Sequence, residues 1–355
     1  MSRTARGSPP SKPGRGPAPR RIRQTPWRAL RGPVDHVVIL DGTMSSLEPG
    51  WETNAGLTWK LLSELAPRAG LSVRYEPGLQ WENWRQVRNV VIGRGLNSQI
   101  QRAYGALASR YRQGDRIFLF GYSRGAYAVR SLAGVIDRVG LVRADDATAR
   151  TVAAAYRLYR DLSSPEHIAS FRAAHCHEAV RIEMIGAWDT VKALGLRAPL
   201  VWRWSQVLHA FHNHDLGPTT LRGYHALAMG ETRRAYEPVL WNTTNGFEGI
   251  CEQMWFRGTH GDVGGQQGGR AECRPLANIP LVWMLDKAES CGLPLPDGWR
   301  ARFPMDPEAP SSGSFTGWSK LFLNRARRPV GLDPSEAVHP TALPAPATPA
   351  TFRTG

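Results

Sequence analysis

The sequence predicts an α/β fold in which a mostly parallel sheet is covered by helices on both faces. Two observations carry this. From Val34 to Leu323, short β-branched apolar runs alternate with longer segments of helical periodicity. The connections between strands are also long enough for crossovers, as parallel pairing requires.

The elements follow in order. Residues 36–40 (HVVIL) form a continuous apolar run that stops at Asp41-Gly42-Thr43, the pattern of a strand buried on both faces. Residues 53–70 place Leu57, Leu61, Leu62 and Leu65 at helical spacing and end on glycine. A strand is expected at 71–77, a helix at 98–111, a strand at 116–121 and a helix at 126–140. Strands at 179–188 and 251–258 and a helix at 276–292 complete the set. Reactive groups in such sheets gather at the carboxyl ends of the strands, and the chemistry-bearing residues of this chain lie at those ends.

Gly121-Tyr122-Ser123-Arg124-Gly125 is a G-x-S-x-G pentapeptide set between the apolar run 117–120 and a helical segment. That strand–turn–helix context is a nucleophile elbow, in which tight packing requires the flanking glycines and Ser123 projects above the sheet. It specifies the α/β-hydrolase variant of the fold. The helix N-terminus behind the serine supplies amides where an oxyanion would form, with the Arg124 N–H as one donor. A serine nucleophile needs an imidazole to accept its proton and a carboxylate to orient that imidazole. His260 lies in the glycine-rich loop RGTHGDVGG after a buried strand, and Asp189 follows the strand ending IGAW. The order Ser, Asp, His is the one this fold uses.

Asp262, two residues from His260, is the rival acid, although a loop carboxylate accepting backbone N–H groups explains it better. Asp41 is a weaker candidate. Gly42 and Thr43, at the end of the first strand, are candidates for the second oxyanion donor or for a simple post-strand turn. DGT after a first strand also occurs in haloacid-dehalogenase-type phosphatases. Those need a second aspartate where this chain has Thr43, so that reading fails.

The segments ILDGT (39–43), 116–134, IGAWDTVKALG (185–195), 224–238 and MWFRGTHGDVGG (254–265) together resemble the catalytic domain of the type VI secretion system phospholipase effector family. The resemblance covers roughly residues 35–325. It implies an α/β-hydrolase fold, lipase or esterase activity on phospholipids, and a triad matching Ser123, Asp189 and His260. The chain departs from the family pattern at Gln266-Gln267, where a glycine and an aromatic are usual, and at Gly230, where an acid usually precedes E-x-R. A carboxylesterase of small soluble esters and a non-catalytic membrane-binding module remain the alternative readings.

The net charge is +15, and nine of the cations fall in residues 1–34, which contain no acid. This Pro/Gly-rich segment is expected to be a disordered basic tail able to touch anionic membrane, and the +6 left on the rest gives no sign of specific nucleic-acid binding. The catalytic domain is expected over 35–330, with a lid or insertion at 196–222 and a loose Pro/Ala-rich tail over 331–355. The four scattered cysteines form no metal-ligand or disulfide spacing, and neither a metal nor an organic cofactor is expected. No signal peptide or transmembrane run is visible. The expectation is therefore a cytoplasmic or membrane-peripheral protein, with non-Sec secretion left open.

Overall fold

The computed structural model describes residues 31–66, 70–78, 94–191, 215–314 and 324–343. Its centre is a seven-stranded sheet ordered β2-β1-β3-β4-β5-β6-β7. The strands are β1 (Asp35–Leu40), β2 (Leu71–Glu76), β3 (Arg116–Tyr122), β4 (Ile182–Trp188), β5 (Arg222–Ala228), β6 (Ile250–Phe256) and β7 (Glu336–Val338). Every neighbouring pair is parallel. The helices are α1 (Asn54–Ser63), α2 (Arg94–Ala108), α3 (Arg124–Val139), α4 (Ala149–Arg160), α5 (Pro165–His175), α6 (His260–Gly264) and α7 (Arg274–Ser290).

The continuous apolar runs have a direct structural reason. In β1, Val37 and Ile39 join one core cluster with α1 and α7, while Val38 and Leu40 join the other with α2, α3 and α4. Strand β3 divides the same way, Phe118 and Phe120 to one face and Ile117 and Leu119 to the other. Side chains alternate along a strand, so a strand covered on both faces must be apolar throughout. The α/β-hydrolase fold follows from this parallel sheet and its flanking helices.

The structure corrects the sequence reading in several places. Strand β5 and helices α4 and α5 were not among the expected elements. Strand β5 carries His225 at the sheet centre, fully buried, where its Nε2 accepts the Thr190 N–H at 3.1 Å. The chain from 331 is not loose throughout. Glu336–Val338 pairs with β6, Trp255 Nε1 donates to Glu336 Oε2 at 2.7 Å, and Asp333 accepts the Thr243 N–H and hydroxyl at 2.8 and 2.7 Å. These side-chain anchors hold a strand too short to show a hydrophobic period. The expected basic tail, apart from residues 31–34, lies outside the described residues, as does 196–214 of the expected insertion. Leu216, within its described end, packs into the core. The four cysteines are unpaired.

Candidate active site

Strand β3 ends at Tyr122, and the Ser123 N–H continues its ladder by donating to Trp188 O at 2.9 Å. The chain then reverses into α3 through Ser123, whose φ of 57° and ψ of −120° lie where non-glycine residues are strained. Both flanking glycines are there for space. A Cβ on Gly121 would lie 2.6 Å from the Gly125 carbonyl carbon, and one on Gly125 would overlap the Leu40 carbonyl. The elbow is thus wedged against the end of β1, and Gly42 lies beside Tyr122 and Ser123.

His260 is the first residue of α6. Thr259 caps that helix, with the Asp262 carboxylate accepting back from the Thr259 N–H at 2.8 Å. His260 Nε2 lies 2.9 Å from Ser123 Oγ, and His260 Nδ1 lies 2.6 Å from Asp189 Oδ2. Three strand ends therefore bring Ser123, His260 and Asp189 into one hydrogen-bonded line. With Nδ1–H donated to the carboxylate, Nε2 is left to accept from the serine hydroxyl. Asp189 is fully buried and also holds a positive φ, 42°. Burial pushes its carboxyl up, but the Arg328 charge and the His260 hydrogen bond outweigh this and hold it well below the usual carboxylate range.

Asp262 serves its own loop. Beyond Thr259, its oxygens accept the Ser312 N–H at 2.7 Å and the Ser311 hydroxyl at 2.5 Å. Asp41 is likewise engaged elsewhere, accepting from the Thr53 hydroxyl at 2.6 Å and from the Tyr75 hydroxyl at 2.7 Å. Burial raises the Asp41 carboxyl to about 6 against these hydrogen bonds. Its Oδ1 takes the Gly42 N–H at 2.6 Å. That corrects the expectation for Gly42, because its donor is already used within the loop. Thr43 is held from the other side, where Gln266 Nε2 donates to Thr43 O at 2.9 Å and to Met44 O at 3.1 Å. The departure at Gln266 thus ties the His260 segment to the loop after β1.

Sequence reasoning missed the groups that surround the imidazole. Arg328 is buried and grips Asp189 with a fork, Nη1 to Oδ1 at 2.6 Å and Nη2 to Oδ2 at 3.0 Å. Glu231 and Arg233 form a buried ion pair at 2.6 Å, and Glu231 Oε2 accepts the His260 N–H at 3.2 Å. The rings of Tyr122 and Tyr236 lie 4.9 and 4.8 Å from the His260 ring. Glu231 and Arg233 stand in the ETRRAYEP segment of the resemblance, which was their available signal. Arg328 has none, because Arg325, Arg327 and Arg328 look alike in sequence.

The model of a family described as type VI secretion system phospholipase effector Tle1-like, catalytic domain, matches residues 35–287. The chain belongs to that family. An uncharacterized protein of Saccharomyces cerevisiae is 31% identical over 121 residues, 30% of this chain and 18% of that protein. Among solved structures, an uncharacterized protein from Pseudomonas aeruginosa shares 18% identity at a TM-score of 0.45, covering 83% of this chain and 52% of that one. A Tle1 effector bound to the VgrG spike of a type VI secretion system shares 15% identity at 0.33, covering 66% and 51%. A thermophilic esterase from Thermogutta terrifontis shares 13% at 0.36, covering 76% and 85%. The chain thus spans about half of the first two of these solved chains and less than a fifth of the yeast protein. Among the described residues, no helix is long and apolar enough to cross a membrane.

Proposed function

We propose that this Tle1-like catalytic domain is a serine hydrolase that cleaves acyl esters of lipids through an acyl-enzyme on Ser123. The observation that carries the reading is the line Ser123 Oγ–His260–Asp189, with contacts of 2.9 and 2.6 Å, set at a strained elbow ahead of a helix N-terminus. His260 Nε2 takes the hydroxyl proton as Ser123 Oγ bonds to the ester carbonyl carbon, and Asp189 stabilises the imidazolium that forms. The carbonyl oxygen gains the negative charge and is met by the N–H of Arg124 at the start of α3 and by that of Thr43. As the carbon–oxygen ester bond breaks, His260 returns the proton to the leaving alcohol. Water then repeats the sequence on the acyl-serine and releases the acid.

Family membership supports lipid esters as the substrate class. The test is a hydrolysis screen on a mixed lipid extract, read by mass spectrometry beside short-chain nitrophenyl esters and beside Ser123→Ala. Fatty acid released from lipids by the wild type and absent with the variant supports the reading. Turnover of nitrophenyl esters alone would make the protein a carboxylesterase of small soluble esters. No Ser123-dependent product from either would make it a non-catalytic module.

A further inference from the structure

We infer that Arg328, delivered by the C-terminal segment 324–343, is a positioning residue of this site. It fixes the Asp189 carboxylate for His260, which makes the chemistry depend on chain beyond the matched family region. The inference rests on the roles proposed above for Ser123, His260 and Asp189.

Asp189 has the least room for error among the three. It is fully buried, its backbone is strained at φ 42°, and its Oδ2 must face His260 Nδ1. A buried carboxylate needs donors for both oxygens, and a rotation about its terminal bond would turn the imidazole with it. Two groups restrain that rotation. The Ala228 N–H donates to Oδ1 at 3.0 Å, and the Arg328 fork spans both oxygens at 2.6 and 3.0 Å. A planar guanidinium matches a carboxylate in a way a lysine cannot. The fork is itself anchored, since Nη1 also donates to Ala228 O at 2.9 Å and Nη2 to Tyr236 O.

The segment that carries Arg328 is built onto the same block of structure. The Ala326 N–H donates to Thr232 O at 2.8 Å, the Arg234 N–H donates to Asn324 O at 3.0 Å, and Arg325 Nη1 donates to Thr232 Oγ1 at 2.9 Å. The loop it grips, 231–236, contains the Glu231 that holds the His260 N–H and the Tyr236 whose ring touches the imidazole. Further along, Glu336–Val338 fastens the segment to β6, the strand that leads to His260. A merely solvated tail would have no reason to be tied at both ends of the site.

The guanidinium also sets charge. Burial alone would push the Asp189 carboxyl up, and the Arg328 charge acts most strongly against that to keep it ionised. An ionised Asp189 is what balances the imidazolium that forms at His260.

The test compares kcat and KM of full-length wild type, Arg328→Gln and Arg328→Lys on a short-chain nitrophenyl ester, with Ser123→Ala as blank and thermal unfolding alongside. Arg328→Gln should lower kcat at least about tenfold, as expected when a catalytic group is displaced by a fraction of an ångström. KM should stay within about twofold, since the substrate contacts are untouched. Arg328→Lys keeps the charge and loses the fork, so kcat should stay depressed with KM again near wild type. An Arg328→Gln enzyme whose loss of rate merely tracks its loss of folded protein overturns the inference. If Arg328→Gln does not fold, a folded Arg328→Lys enzyme with wild-type kcat overturns it equally. A wild type without Ser123-dependent turnover fails earlier, and that failure belongs to the site reading itself.

Discussion

Ser123 and Asp189 are two of the four non-glycine residues with positive φ among those described, at 57° and 42°. Strain of this kind costs on the order of 1–3 kcal/mol and persists where the surroundings over-determine the backbone. Here those surroundings are the β3–β4 ladder, the wedged glycines and the Arg328 fork. Asp189 and Asp262 separate cleanly at this scale. Asp189→Asn should lower kcat about 10⁴-fold with little change in KM, because a mispointed imidazole cannot accept the proton. Asp262→Asn should act on stability, since its four partners (Thr259 N–H and hydroxyl, Ser311 and Ser312) shape the loop. Steady-state kinetics and thermal unfolding of both variants decide, and the reverse pattern would move the acid role to Asp262. Ser123, His260 and Asp189 were legible because each follows a recognisable strand. Arg328 was not, because nothing local distinguishes it from Arg325 or Arg327.

The elements that place the site were the easiest to read. Strands β1 and β3 are covered on both faces, so their runs 37–40 and 117–120 are apolar without a break, whereas β4 and β6 show such runs only at 184–188 and 254–256, after Glu183 and after Glu252 and Gln253. Strand β5 hid because His225 at its centre breaks the pattern, although there its side chain is neutral. Burial pushes it down to about 3, and its Nε2 accepts from Thr190. Helix α4 did carry a readable signal, with Val152, Ala155, Tyr156 and Tyr159 on one buried face. Helix α5 buries only Ile168 and so had almost none. Edge strand β7 has three residues, too few for any period. The elbow also makes a testable element-level statement about space. Gly125→Ala should cost on the order of 3 kcal/mol or more, or give no soluble protein, because backbone rather than a flexible side chain occupies the site of the new methyl. Gly105→Ala, in α2, would meet only Val152 methyls at 3.5 Å and should be neutral or stabilising by up to about 1 kcal/mol. Denaturant unfolding of the two variants makes the comparison, and an equal cost at both positions would refute the wedge.

Across the whole molecule, two buried carboxylates pull stability in opposite directions with pH. Asp189 is held below the usual carboxylate range, so it stabilises the fold at neutral pH and that contribution fades only in strong acid. Asp41 is raised from 3.8 to about 6, so its ionisation costs stability. The cost is absent below about pH 4, where folded and unfolded states are both protonated, grows up to about pH 6 and is complete above it. A displacement of about two units corresponds to roughly 3 kcal/mol. Asp41→Asn should therefore gain stability relative to wild type at pH 7.5 and lose that advantage at pH 4. Melting curves at the two pH values test it, and a difference independent of pH would contradict it. The net charge of +15 is a whole-chain property as well, yet nine of its cations belong to residues 1–34 and leave the catalytic region with an ordinary balance. The central claim concerns one atom, Ser123 Oγ, and the most direct measurement is covalent labelling. The full-length protein is treated with a fluorophosphonate probe and mapped by peptide mass spectrometry. A single adduct on Ser123, absent in Ser123→Ala and slowed by orders of magnitude in His260→Ala, is the expected result. A wild-type protein that takes up no probe, or takes it up on another serine, would contradict the assignment.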